Sequence, residues 1–125
     1  MKIPKKLEEE LLQRFGVKRK RKSKYRNVRT KVDGITFDSK KEAARWTVLH
    51  ALLMAEKISN LRRQIPYDFE VKGEHICTYI ADFVYVLDGV VIVEDVKSKA
   101  TRKLPVYRIK KKLMKAIYGL EILEV

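Results

Sequence analysis

Apolar residues recur along much of the chain at spacings typical of helices. Over residues 5–15, 39–57 and 105–118 this spacing predicts three helices. Gly16 follows the first helix and Gly119 the third, where a glycine favours helix termination. The second helix is apolar nearly all round and is therefore predicted to be buried. The third carries apolar side chains at core spacing: Val106, Ile109, Leu113, Ala116 and Ile117.

Strand signals fill much of the remaining chain. Strands are predicted over residues 25–32, 35–37, 67–71, 76–87, 90–97 and 120–125. Asp33-Gly34 and Asp88-Gly89 each separate two of these runs and are strong hairpin signals. The core order is helix, three strands, helix, strand, which predicts an α/β fold with a mixed sheet flanked by helices.

The second Asp-Gly turn predicts a pair of carboxylates. If Asp88-Gly89 is a two-residue turn, Val84 pairs with Val93, and Asp82 faces Asp95 two positions further on. Since side chains alternate along a strand, Asp82 is expected to share a face with Ile80, Val84 and Val86. A three-residue loop would instead set Asp82 against Glu94.

Two opposed carboxylates on an apolar face repel each other and need a shared proton or a cation. Lys97 lies two residues beyond Asp95 on the same face. Carboxylates bind Mg²⁺ or Mn²⁺, the metal polarises a phosphate, and a lysine orients water or stabilises charge, so this set suits phosphodiester cleavage. The alternative is that both acids are solvated and that Lys97 forms a surface salt bridge with Asp95.

Glu42 is a further candidate at the start of the second helix. Residues 39–42 form a capping box, which is a purely structural role for Glu42. The same residue leads the stripe Glu42, Trp46, Leu49 and Leu53, so it is also placed to point over the sheet edge towards the carboxylates. The two roles are compatible.

The charge distribution adds a partner to this picture. The chain of 125 residues carries a net charge of +13, which predicts a polyanionic partner, with nucleic acid ahead of a membrane. Residues 1–31 contribute +10 (13 basic, 3 acidic), residues 32–98 contribute −3 (8 and 11), and residues 99–125 contribute +6 (8 and 2). Basic ends around an acidic middle suit a metal-dependent nuclease better than a purely electrostatic binder.

Two clusters of cations are candidate nucleic-acid contacts. One lies near the N-terminus: Lys18, Arg19, Lys20, Arg21, Lys22, Lys24, Arg26 and Arg29. The other lies on one face of the third helix: Arg108, Lys111, Lys112 and Lys115. Both are expected to contact backbone phosphates, with Lys111 as the first choice on the helix; the alternative for the helix is a solvated face.

Several classes of protein are excluded. One cysteine, Cys77, and two distant histidines leave neither a disulfide framework nor a zinc site with usual spacing. No apolar run reaches the length of a membrane span, and no signal peptide is evident. The expected location is the cytoplasm of a bacterium or of a phage's host cell.

The segments Ile80-Ala81-Asp82-Phe83 and Val93-Glu94-Asp95-Val96-Lys97 resemble the signature of the PD-(D/E)XK nuclease superfamily. Ala81 stands where the signature has proline. The resemblance covers about residues 25–125 and is closest to small phage-encoded members. It is more distant to Holliday-junction resolvases of the endonuclease I and archaeal types.

The resemblance implies a restriction-endonuclease-like core, αβββαβ, in a single nuclease domain over residues 25–125, after a basic arm with a short helix over residues 1–24. It implies Mg²⁺- or Mn²⁺-dependent DNA cleavage, with Asp82, Asp95 and the Val96 carbonyl as metal ligands and Glu42 as an accessory ligand. Lys97 would be the catalytic lysine, and Glu94 would face away from the site.

The expected function is therefore a metal-dependent endonuclease, acting on branched or recombination-intermediate DNA as a homodimer. Two alternatives stay open. One is a non-catalytic DNA-binding protein on a nuclease fold. The other is a nicking enzyme, a structure-independent DNase or an RNase.

Overall fold

The structure is a computed structural model that describes residues 28–125. The chain divides into two compact units, the first ending at Lys57 and the second spanning Ile58–Val125. The predicted helix over residues 5–15 and the predicted boundary after residue 24 lie outside the described residues.

The first unit opens with the small hairpin that the sequence predicts. Strands β1 (Thr30–Val32) and β2 (Ile35–Phe37) are antiparallel, with Val32 opposite Ile35. Asp33 and Gly34 both have positive φ, 52° and 75°, as a type I′ turn requires.

Helix α1 (Lys40–Met54) follows and ends three residues before the predicted limit. Ser39 caps it, because its hydroxyl accepts a hydrogen bond from the Glu42 backbone N–H at 3.1 Å. The predicted burial is confirmed for much of the helix, including the side chains of Glu42, Ala43, Arg45, Val48, Leu49, Ala51 and Leu52.

The second unit is built on a four-stranded mixed sheet. In spatial order the strands are β3 (Ser59–Val71), β4 (Glu74–Leu87), β5 (Val90–Asp95) and β6 (Ile122–Glu124). The first three are antiparallel, and β6 is parallel to β5. The predicted α/β class and mixed sheet are confirmed.

Two helices connect β5 to β6, as a parallel crossover requires. Helix α2 (Lys99–Arg102) is short and was not predicted. Helix α3 (Pro105–Leu113) continues into a π-helical turn (Met114–Tyr118), and Gly119 ends it with a φ of 68°. The predicted helical span of residues 105–118 and its glycine stop are confirmed.

Strand β3 begins eight residues before the predicted start at residue 67. Pro66 led to that error, because a proline removes a backbone donor from a sheet. Within residues 28–125, β3 is an edge strand of the sheet, and Pro66 pairs with Ile80 inside it. A proline is tolerated at such an edge.

The predicted core face of the third helix is wrong except at Leu113, which is partly buried and packs against the core. Val106, Ile109, Ala116 and Ile117 are exposed, whereas Tyr107 and Met114 are buried. These two larger side chains enter the core cluster with Phe69, Tyr79, Ala81, Val84, Val93 and Ile122. Helical spacing identifies apolar positions without showing which of them face the sheet. No helix within residues 28–125 is long and apolar enough to cross a membrane.

Candidate active site

The register of the β4–β5 hairpin is the predicted one. Leu87 pairs with Val90, Val84 with Val93 and Phe83 with Glu94, around a turn whose Asp88 and Gly89 have positive φ. Asp82 and Asp95 are the next residues beyond the last of these pairs, and their carboxylates lie close enough to interact. The alternative register, with Asp82 against Glu94, is excluded.

The apolar face predicted around Asp82 is partly wrong. Ile80 is 53 % exposed, whereas Ala81 and Val84 are fully buried in one core cluster. Strict alternation would place Ala81 and Val84 on opposite faces, so the alternation is interrupted between them, where Asp82 lies.

Asp82 is held by a donor at each carboxylate oxygen. The Val96 backbone N–H donates to Oδ2 at 2.9 Å, and Gln64 Nε2 donates to Oδ1 at 3.3 Å. Arg63 pairs with Phe83 and Ile65 with Ala81, so Gln64 lies opposite Asp82. Gln64 has a φ of 50°, a left-handed conformation that is rare for such a residue within a strand.

Asp95 is the buried member of the pair, only 1 % exposed. The Tyr79 hydroxyl donates to its Oδ2 at 2.8 Å, and Lys97 Nζ lies 3.5 Å from the same oxygen. Burial and the neighbouring Asp82 carboxylate raise the pKa of Asp95 to about 7, although Tyr79 and Lys97 oppose the shift. The pair therefore carries an electrostatic repulsion that one proton or one cation relieves.

Lys97 is placed by a second tyrosine. Its Nζ lies 5.1 Å from the centre of the Tyr107 ring, within the range of a cation–π contact. The Tyr107 hydroxyl donates to Glu124 Oε2 at 3.0 Å. Burial, followed by the hydrogen bond to Glu124, raises the pKa of Tyr107 well above its usual value, so this hydroxyl stays protonated.

The backbone around these residues is fixed by the end of β6. Lys97 N–H donates to the Val125 carbonyl at 3.2 Å, and Val125 N–H donates to the Asp95 carbonyl at 3.0 Å. With the hydrogen bond from Val96 N–H to Asp82, each of the residues 95–97 therefore makes one backbone hydrogen bond to a neighbouring strand or chain end. The candidate lysine and carboxylates thus lie on a rigid part of the sheet.

Glu94 lies apart from this cluster, as the resemblance implies. It is fully buried and accepts a hydrogen bond from the Tyr85 hydroxyl. Asp82, Asp95 and Lys97 are therefore brought together, and the neighbouring Glu94 has a different set of partners.

The predicted cations of the third helix line one open concavity of about 460 Å³. Arg108, Lys111, Lys112 and Lys115 share it with Arg102, Glu121 and Glu124. Lys111 Nζ lies 2.6 Å from Glu124 Oε1, and Lys115 Nζ lies 3.2 Å from Glu121 Oε1. Five cations face two carboxylates, so the surface remains positive although Lys111 and Lys115 are ion-paired.

The other predicted site residues belong to the first unit or lie outside the described residues. Glu42 is buried in the first unit, at the start of α1, where its backbone N–H joins the helix cap. Its predicted contact with the metal stays a prediction. Arg29 is exposed, and the remaining cations of the arm, residues 18–26, lie outside the described residues.

The donor set of the cluster fits a divalent cation in part. Two adjacent carboxylates provide the oxygen ligands that Mg²⁺ and Mn²⁺ prefer, and their repulsion favours a cation between them. Among residues 28–125, no three His, Cys, Asp or Glu side chains form a metal-ligating group. Asp82 and Asp95 are therefore the acidic ligands that this cluster offers, and the Val96 carbonyl stays a predicted third.

Sequence reasoning missed three contributors to the site. Tyr79 was not among the predicted site residues, although its hydroxyl contacts Asp95. Gln64 lies in a segment for which no strand was predicted, and the position of Glu124 beside α3 depends on the parallel crossover. Strand alternation gave no signal for Tyr79, since a residue three positions before Asp82 is expected on the opposite face.

Comparison with known proteins yields one match. A family model described as a protein of unknown function, DUF1064, matches residues 22–122. No curated protein and no solved structure matches the chain significantly.

Proposed function

We propose that this chain, which belongs to the DUF1064 family of proteins of unknown function, is a metal-dependent DNA endonuclease with a restriction-endonuclease-like core. The observation that carries the proposal is the Asp82–Asp95 pair with Lys97 at 3.5 Å from Asp95. Two carboxylates and a lysine, set on adjacent strands beside a cation-lined concavity, are the groups that hydrolysis of a phosphodiester requires.

In this proposal Asp82 and Asp95 hold Mg²⁺ or Mn²⁺ with the Val96 carbonyl, and Glu42 is an accessory ligand. The bound ion would polarise the scissile phosphate and lower the pKa of water. Tyr79 keeps the Asp95 carboxylate oriented through its hydrogen bond. The Lys97 ammonium lies beside the carboxylates, where it orients the attacking water or stabilises negative charge on the phosphate.

The cation-lined concavity supports the choice of substrate. Its lining cations belong to the same unit as the carboxylate pair, and Tyr107 connects them, since it contacts both Lys97 and Glu124. Cations in such a surface bind backbone phosphates without reading sequence. The exposed Arg29 and the basic arm would add further contacts of this kind.

We also propose that the DNA is branched and that the active form is a homodimer. The support is the resemblance to junction resolvases, because such an enzyme cuts two strands symmetrically. Cleavage of a labelled four-way junction beside the matched linear duplex, each with Mg²⁺ or with EDTA, tests this proposal. We expect cutting of the junction in Mg²⁺ alone.

The variant Asp95→Asn is expected to bind DNA but not cut it. Asp88→Asn is the matched control, because it makes the same change at an exposed turn where asparagine tolerates a positive φ. Equal cutting of junction and duplex would remove the claim of structure selectivity only. Binding without cutting in Mg²⁺ and Mn²⁺ would favour the non-catalytic alternative.

A further inference from the structure

The carboxylate of Glu124 lies where three donors converge. Lys111 Nζ is 2.6 Å from Oε1, the Tyr107 hydroxyl is 3.0 Å from Oε2, and Arg102 Nε is 3.8 Å from Oε2. Burial tends to raise the pKa of Glu124, but hydrogen bonds from Lys111 and Tyr107 outweigh it and hold the pKa below its usual value. The group is thus an anion within a basic concavity.

Glu124 does not satisfy all the donors around it. Arg102 Nε is buried and has no hydrogen-bond partner within residues 28–125, since 3.8 Å is too long for such a bond. A buried donor without an acceptor is costly. An anion with more oxygens than a carboxylate would reach this donor as well as Lys111 and Tyr107.

The charge around Glu124 favours exchange with an external anion. The concavity keeps three positive charges in excess after Glu121 and Glu124 are counted against its five cations. A phosphodiester group carries one negative charge, as a carboxylate does, but it has two bridging oxygens in addition to its two charged ones. Its neighbours in a nucleic acid add further negative charge for the remaining cations.

We propose that Tyr107, Lys111 and Arg102 form a seat for a backbone phosphate, and that the Glu124 carboxylate occupies this seat until a nucleic acid displaces it. The identity of the ligand as nucleic acid rests on the proposed function. Glu124 is therefore an internal competitor of the substrate, and the Lys111–Glu124 ion pair is broken when the substrate binds.

The seat also sets the position of the bound strand. The Tyr107 ring contacts Lys97 Nζ, so a phosphate bonded to the Tyr107 hydroxyl would be held by the same side chain that contacts the candidate catalytic lysine. Binding at the seat would therefore align the backbone relative to Lys97 through one side chain.

The test compares Glu124→Gln with Glu121→Gln, because both acids line the concavity and both pair with a lysine. Binding of a short labelled duplex is measured by fluorescence anisotropy in EDTA over a range of salt concentrations. Glu124→Gln is expected to tighten binding about tenfold, because the competing ion pair is weakened. The slope of log binding constant against log salt concentration should also become steeper, by the amount that about one additional phosphate contact gives.

Glu121→Gln is expected to tighten binding by less than about twofold, as a general effect of one exposed charge. If duplex affinity rises equally in the two variants, or falls in Glu124→Gln, the proposed phosphate seat is wrong. If Glu124→Gln unfolds, Lys111→Ala and Lys112→Ala replace it: a larger loss of affinity for Lys111→Ala supports the seat, and equal losses overturn it.

Inorganic phosphate distinguishes the two sources of the anion. If phosphate alone raises the Tm of Glu124→Gln while duplex affinity stays at the wild-type value, the seat takes a free anion and the proposal is wrong. A wild-type protein that binds no duplex at low salt would contradict the proposed function itself, whereas a protein that binds and cuts DNA with no gain in Glu124→Gln would contradict only the seat.

Discussion

Glu94 and Asp95 are neighbours on β5, and both are buried, with 0 % and 1 % of the residue exposed. Each accepts a hydrogen bond from a tyrosine on β4, Glu94 from Tyr85 and Asp95 from Tyr79. They differ in what else surrounds them: Asp95 faces a second carboxylate and lies 3.5 Å from Lys97 Nζ. Burial with a tyrosine partner is therefore common to both acids, and the second carboxylate and Lys97 beside Asp95 are what make Asp95 a candidate catalytic group.

The largest difference is expected in cleavage. Asp95→Asn should lower the single-turnover rate about a thousandfold, because it removes a metal ligand beside the reacting phosphate. Glu94→Gln should keep the rate within about tenfold of wild type, since Glu94 lies apart from the Asp82–Asp95 pair. Rates are measured on folded protein in saturating Mg²⁺. Equal losses in the two variants would contradict the distinction.

The second difference concerns stability against pH without metal. The raised pKa of Asp95, about 7 in the folded protein against 3.8 ordinarily, means that its contribution to stability is complete below about pH 4. As pH rises to 7 and above, this contribution is lost, because the unfolded state releases the proton first. The Tm of Asp95→Asn should exceed that of wild type by several degrees near pH 8, and by little near pH 4.

Thermal unfolding in EDTA at several pH values measures this effect. Asp88→Asn is again the control, and its difference from wild type should not grow with pH. Added Mg²⁺ should raise the Tm of wild type near pH 8 and leave that of Asp95→Asn nearly unchanged. A Tm difference that is constant with pH would show that the carboxylate repulsion is not significant.

A third comparison removes the hydroxyl group of Tyr79 or of Tyr85 and leaves the rest of each side chain. Tyr79→Phe should weaken Mg²⁺ binding about tenfold, because the Asp95 ligand loses the donor that orients it. Tyr85→Phe should leave Mg²⁺ binding unchanged and lower the free energy of unfolding by about 1–3 kcal/mol, since it leaves a buried acceptor without that partner. Isothermal titration and urea unfolding measure the two quantities, and a metal effect in both variants would contradict the assignment of Glu94.

The smallest effect is expected at Gln64. Gln64→Gly removes the donor to Asp82 and relieves the left-handed backbone, so Mg²⁺ affinity should fall about fivefold without loss of stability. Gln64→Ala should lower the affinity equally and be less stable than Gln64→Gly, because alanine keeps the strain that glycine relieves. Unchanged affinity in both variants would show that the Val96 N–H alone orients Asp82.

The part of the site that follows from the sequence depends on one turn. Asp88-Gly89 sets the register of β4 against β5, and this register brings Asp82 to Asp95. Lys97 follows from its spacing to Asp95. These three positions could be predicted because a two-residue hairpin leaves a single way to pair the strands.

The remaining contributors depend on contacts that local patterns do not encode. Gln64 adopts a backbone conformation that favours glycine or asparagine, so its residue type conceals it. Glu124 reaches Tyr107 and Lys111 only after a crossover through two helices. Helical spacing alone does not show which apolar side chains of residues 105–118 face the sheet; Tyr107 and Met114 do so, whereas Val106 and Ile109 are exposed.

The crossover has a consequence for the order of folding. The β4–β5 hairpin joins Asp82 and Asp95 through a two-residue turn, and such local pairing forms on the microsecond timescale. The parallel pairing of β6 with β5 must wait for closure of the chain over α2 and α3, which is slower. We therefore expect the two carboxylates to meet before Val125 fixes the Lys97 backbone, so refolding in EDTA should slow as the pH rises and both carboxylates become charged.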